Sequence, residues 1–134
     1  GAMGGWQEGA PSTRVERLAR YALEGMQGSL NSLDLQGAQL YEVQRHRSQV
    51  VSGINHEITV QTSAGSLVVK IYEQSWTNTL RITSATLSSP VSQISMAMTT
   101  STLVDEAGEG LALDGEAFAT LDAAAVAEEQ ACAP

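Results

Sequence analysis

Few residues of this chain have the type and spacing that covalent or acid–base chemistry needs. There are two histidines, His46 and His56. His46 stands between Arg45 and Arg47 and reads as a solvated strand residue. His56 falls in a strand-like run and reads as a packed or edge side chain rather than a base. The one cysteine, Cys132, has no base near it in sequence, so nothing indicates an activated thiolate. The chain contains no Gly-x-Ser-x-Gly and no P-loop, and these features together argue against an enzyme. Asp105, Glu109, Gly110 and Glu116 fall where a calcium loop has its first, fifth, sixth and twelfth residues. Its third position is Ala107, which offers no side-chain oxygen, so neither a metal nor a cofactor is expected.

The remaining chemistry is that of binding, and two short segments suit it. Gln49-Val50-Val51-Ser52-Gly53 lies between two strand-like runs, residues 44–51 and 54–62. Neighbouring strand residues point to opposite faces, so at least one valine beside the turn is expected to face water. By itself the pentapeptide also fits an ordinary hairpin whose valines belong to its strand. Trp76 is surrounded by Gln74, Ser75, Thr77 and Asn78, all polar, which reads as a loop. A loop tryptophan is a large, stiff contact surface, whereas a buried one would simply fill the core.

The elements that must position these segments are legible from periodicity. Thr13 and Glu16 have capping-box spacing at a helix start. Val15, Leu18, Ala19, Ala22, Leu23 and Met26 then recur at helical spacing and make one apolar stripe. Gly25 and Gly28 weaken the helix, which is expected to end between Gln27 and Asn31. Strand-like runs follow at residues 39–51, 54–62, 67–74 and 79–87. In the second, Ile54, His56, Ile58, Val60 and Thr62 share one face. Residues 1–11 are rich in glycine and are expected to be flexible, with a short edge strand as the other reading. The fold class that follows is α+β: one helix packed across a four- to five-stranded antiparallel sheet.

Four matches in order resemble the cystatin family, its plant-type members in particular. Gln49 to Gly53 looks like the family's Gln-x-Val-x-Gly inhibitory loop. Leu18-Ala19-Arg20-Tyr21-Ala22-Leu23-Glu24 is similar to the helix motif of plant-type cystatins. Gly4-Gly5 stands where the family has an N-terminal glycine trunk, and Ser75-Trp76 where it usually has Pro-Trp. The resemblance covers about residues 4–87. Two departures stand out. Ser75 removes a fixed φ angle from the second loop, and Gly25-Met26-Gln27 ends the helix motif atypically.

The resemblance implies a reversible inhibitor of papain-like, cathepsin-type cysteine proteases. Its binding residues would be Gly4 and Gly5 of the trunk, Gln49, Val50, Val51, Ser52 and Gly53 of the first loop, and Ser75 and Trp76 of the second. Together they would form a wedge that fills the protease cleft. A non-inhibitory binding or assembly module on the same fold is the alternative. Some cystatins use an asparagine after the helix to inhibit legumain, and Asn31 falls at that place. A turn or capping role is the simpler account of Asn31 and the one its residue type favours. The family also implies a mainly monomeric chain with a minor domain-swapped dimer, opened at the first loop, where a strained Val51 would assist.

Charge separates the chain into two parts. Residues 1–89 hold all seven basic residues and seven acids, whereas residues 90–134 hold the other eight acids, which account for the net −8. The organisation expected is a cloning remnant over residues 1–3, an inhibitory domain over 4–89 and a disordered acidic tail over 90–134. Within that tail only residues 116–130 read as a helix. The arginines are scattered and no apolar run approaches a membrane span, so neither nucleic acid nor membrane is an expected partner. A lone cysteine excludes an intramolecular disulfide and suits a reducing compartment. The initial Gly1-Ala2-Met3 leaves secretion equally open.

Overall fold

The computed structural model describes residues 4–90 and 97–113. One helix, α1 (Thr13–Ser29), crosses an antiparallel sheet. The strands are β1 (Gln7–Gly9), β2 (Leu40–Val51), β3 (Gly53–Thr62), β4 (Gly65–Gln74), β5 (Thr79–Pro90), β6 (Met98–Val104) and β7 (Leu111–Ala112). They run in the order β1-β2-β3-β4-β5-β6, and β7 also pairs with β5. The α+β expectation stands, with seven strands among the described residues in place of four or five.

All six residues of the helix stripe are buried, from Val15 to Met26. They pack on Ile58, Val60, Leu67, Val69, Ile71, Leu80, Ile82 and Leu87 of the sheet. The cap differs from the capping box expected at Thr13. Ser12 is the N-cap, extended at φ −136°, and its Oγ accepts from the Val15 amide at 3.2 Å. Glu16 is left to pair with Arg20 one turn on, at 3.0 Å. At the other end the Leu30 amide bonds the Met26 carbonyl, and Gln27 Nε2 donates to the carbonyls of Leu35 and Ala38. Those bonds tie the helix exit to the start of β2.

Two stretches expected to be flexible or disordered are ordered, the first as the edge strand of its other reading. Residues 7–9 form β1, paired with Ser48, Arg47 and His46 of β2. On the far side, β6 pairs with residues 85–90 of β5, and β7 pairs with Arg81 and Ile82 of the same strand. The expectation of disorder from residue 90 onward therefore fails for residues 98–104 and 111–112. The physical reason is backbone pairing: β5 is long enough to leave a free edge, and a polar, β-branched run satisfies it without a core of its own. Val104 is buried, and Leu113 lies where a Cβ on Gly25 would meet its Cδ2 at 2.5 Å. Gly25, the helix-motif departure, is thus the place where the returning chain approaches the helix. Residues 105–110 turn back between β6 and β7, with the amides of Ala107 and Gly108 bonded to Asp105. Glu116, Cys132, the candidate helix over 116–130 and residues 1–3, expected as a cloning remnant, lie outside the described residues.

Candidate functional site

The first loop is the tight β2–β3 hairpin. Val51 pairs with Gly53, leaving Ser52 at the tip. Gly53 takes φ +119°, and a Cβ there would lie 2.7 Å from the Glu73 carbonyl oxygen and 2.8 Å from the Tyr72 hydroxyl. No other residue type fits both that φ and that space. The strain expected at Val51 is absent, because the positive φ belongs to Gly53. Two side chains of β4 hold the tip. The Tyr72 hydroxyl and Gln74 Nε2, the latter at 3.1 Å, both donate to the Ser52 carbonyl. On the outer face Asn55 Nδ2 donates to Gln49 Oε1 at 3.2 Å.

The second loop is a 3₁₀ turn, Ser75–Thr77, between β4 and β5. Where a proline would stiffen it, hydrogen bonds close it: the Asn78 amide donates to the Ser75 carbonyl at 3.1 Å, and Thr77 Oγ1 donates to Gln74 Oε1 at 2.7 Å. Asn78 takes the left-handed conformation at φ 51°, which asparagine tolerates. Trp76 is 69% exposed and Val50 64% exposed. Register brings the two loops together, since Ile54 pairs with Glu73 across β3 and β4. Val50, Val51, Ile54, Ser75 and Trp76 line one open cleft of about 230 Å³ between the tips.

The trunk joins the same edge. Gln7 pairs with Ser48, so the antiparallel register carries Gly4 and Gly5 toward Val50. Neither glycine has an atom within 4 Å of an added Cβ, so nothing in the domain itself requires glycine there. Trp6, which the sequence analysis left unassigned, anchors the arm: the Arg47 guanidinium lies 4.5 Å from the centre of its ring. Glu8 pairs with Arg45 alongside.

Beneath the loops lies a polar network that the sequence analysis missed. Glu73 is buried on the core face of β4. It receives Arg14 through two bonds of 3.1 and 2.8 Å, and His56 Nε2 at 2.7 Å. His56 Nδ1 lies 3.0 Å from His46 Nε2, and the two rings stack. Burial acts to raise the Glu73 carboxyl, but the bonds from His56 and Arg14 outweigh it and bring it down to about 2. His46, expected to be solvated, is buried. Alternation placed His56 on the face of Ile58 and Val60, and it could equally have revealed Glu73, which continues the inward face of Leu67-Val69-Ile71. This network uses both histidines as structural partners of the loop strands.

No family model matches the chain. Cysteine proteinase inhibitor 8 of Oryza sativa subsp. japonica is 36% identical to it over 91 residues, which span 61% of this chain and 69% of that protein. The chain belongs to the cystatin family. In this cystatin, eight of the nine wedge residues expected from sequence lie at one edge in the two loops and at the start of the arm, with Gln49 turned to the outer sheet face against Asn55. Asn31 lies apart from them. It is exposed, just past the helix C-cap at Leu30, while the helix N-terminal turn carries Arg14 to Glu73 near the loops. A 17-residue helix spans about 25 Å, which puts Asn31 at the opposite end of the domain.

Proposed function

We propose that this cystatin is a reversible, tight-binding inhibitor of papain-like, cathepsin-type cysteine proteases and not an enzyme. The observation that carries the reading is the pairing of exposed Val50 and Trp76 on either side of one cleft at the loop edge. Large apolar side chains held in water on short, hydrogen-bonded turns are pre-ordered for a partner's groove. The valines lose little rotamer entropy on binding, and Trp76 buries a broad ring. The Ser52 carbonyl is already taken by Tyr72 and Gln74, so the tip cannot extend as a substrate strand would. The wedge of Gly4, Gly5, the first loop and Ser75-Trp76 then occludes the protease cleft without offering a scissile bond.

Titration of active-site-counted papain with the purified chain tests this. Activity should fall in one-to-one proportion and the chain should be recovered uncleaved. A folded chain that leaves papain fully active would instead favour the non-inhibitory binding or assembly module.

A second target is supported by one observation, the exposure of Asn31 at the far end of the domain. The C-cap role belongs to Leu30. We assign to Asn31 the presentation of a short amide side chain to legumain, which cleaves after asparagine, independently of the papain-directed edge.

A further inference from the structure

We propose that His46 is a positioning residue for the N-terminal arm: its neutral imidazole is the seat on which Gly9 rests, and a proton at its Nδ1 unseats the arm. The first step is the direction of the hydrogen-bond chain. The Glu73 carboxylate can only accept, so His56 Nε2 carries the proton between them. In a neutral His56 that proton is its only one, so Nδ1 accepts and His46 Nε2 donates to it. That leaves His46 Nδ1 as a bare lone pair. It is buried and has no hydrogen-bond partner. Directly over it passes β1, so close that a Cβ on Gly9 would lie 3.1 Å from Nδ1 and 3.7 Å from the adjacent ring carbon.

A proton at this atom adds both a donor and a charge where the arm leaves no acceptor. The buried N–H and the cation each carry a desolvation cost while the arm is seated, and both are relieved when the arm lifts and water enters. The charged groups around the ring do not remove that conflict. From β1, Glu8 favours the cation, but its carboxylate is engaged by Arg45 of β2. Arg47 of β2 is engaged by Glu57 and lies under Trp6. His56 of β3 disfavours a positive charge on the ring, and Glu73 of β4 is already shared between His56 and Arg14 of α1. Burial, and then His56, hold the His46 pKa below its ordinary value of 6.5, against the pull of Glu8. The lifted arm exposes the ring and relieves the larger cause of that depression, its burial. The lifted state therefore binds more protons, and seating, complete above about 6.5, weakens as pH falls below it.

The arm contributes Gly4 and Gly5 to the wedge, so the effect on inhibition rests on the protease-inhibitor reading, whereas the effect on the arm itself does not. Trp6 supplies a reporter. With Trp76→Phe it is the sole tryptophan of the full chain, and its emission follows the arm without any protease. Between pH 7.5 and 4.5 the emission should shift toward that of a solvated indole. The midpoint should coincide with the titration of the His46 ring followed by proton NMR. His46→Gln, whose amide can still donate to His56, should abolish the shift. Gly9→Ala, which crowds the seat, should move its midpoint upward. In papain assays the inhibition constant of the native chain relative to His46→Gln should rise about three- to tenfold from pH 7 to pH 5. A Trp6 signal that stays flat while His46 titrates, or that persists in a folded His46→Gln chain, overturns the proposal. Failure of every chain to inhibit papain, with the Trp6 transition intact, overturns the inhibitor reading and supports the role of His46.

Discussion

Trp76 stands on a turn with no buried residue, and its ring is held in solvent at the edge of the interloop cleft. Side chains of this kind dominate binding energies when a partner's pocket desolvates them. Trp76→Ala should weaken papain binding by about 2 kcal/mol or more and leave urea unfolding unchanged. Glu73 makes the opposite prediction, about stability. Its carboxyl falls from an ordinary 4.5 to about 2 in the folded chain, so the unfolded chain binds the extra proton between those values. The contribution of the network is complete above pH 4.5 and is lost as pH falls toward 2, with a size of about 3 kcal/mol. Unfolding free energies at pH 5 and pH 2.5 should show this loss. Glu73→Gln should be less stable at pH 5 and show a smaller loss over the same interval.

At the scale of elements, the hairpin tips depend on what crosses between strands. Tyr72 and Gln74 point away from the core on β4 and both hold the Ser52 carbonyl. A hinge that opens the first loop must break both bonds and release Gly53 from φ +119° into an extended strand. Exchange of α1 and β2 between two chains would need that opening, and the cross-strand bonds oppose it. Tyr72→Phe combined with Gln74→Ala should therefore raise the fraction of a slowly formed, papain-inactive dimer seen by size exclusion at high concentration. An unchanged monomer fraction would place the barrier elsewhere. β-bulges are the other decisive element feature. In β2, register shifts after Leu40 and Val43 turn Val43 toward the core between Leu40 and His46, a spacing of three where alternation would give two. In β5, the shift opposite Lys70 and Ile71 lets both Ile82 and Ala85 face the core. Each bulge resets the inward face by one residue.

Across the whole molecule, the sheet continues past β5, and its extension closes back on the helix. Val104 is buried, and Leu103, Leu111 and Leu113 pack against the core. A chain ended at Pro90 should lose this cover together with the β5 edge bonds and unfold with about 3 kcal/mol less stability, still as an inhibitor-competent fold. A truncated chain of native stability would show that the extension adds nothing to the core. The two ends of the domain make the last prediction. Because Asn31 and the loop edge lie at opposite ends of α1, papain and legumain should bind one chain simultaneously. Asn31→Ala should abolish legumain inhibition and leave the papain constant within about twofold, within the additivity of distant sites. A chain that leaves legumain active at micromolar concentration would make Asn31 a turn residue only.

The local sequence alone determined the parts of this cystatin that repeat or that need a special backbone. The helix stripe from Val15 to Met26, the alternation of β3 and β4, and Gly53 at a hairpin tip are all readable, because period and φ are properties of a few adjacent residues. The resemblance carried by Gln49 to Gly53 and Ser75-Trp76 named the two loops. Tertiary structure alone decided three other matters. His56 read as a packed or edge side chain with no partner named and Glu73 went unread, and only the approach of Arg14 and His46 from other elements makes their burial tolerable. His46 looked solvated because it stands between Arg45 and Arg47, and only the pairing of β2 with β1 and β3 covers its ring. Residues 98–112 looked too polar to fold because their stability comes from the open edge of β5 and from the gap at Gly25, neither of which lies in their own sequence.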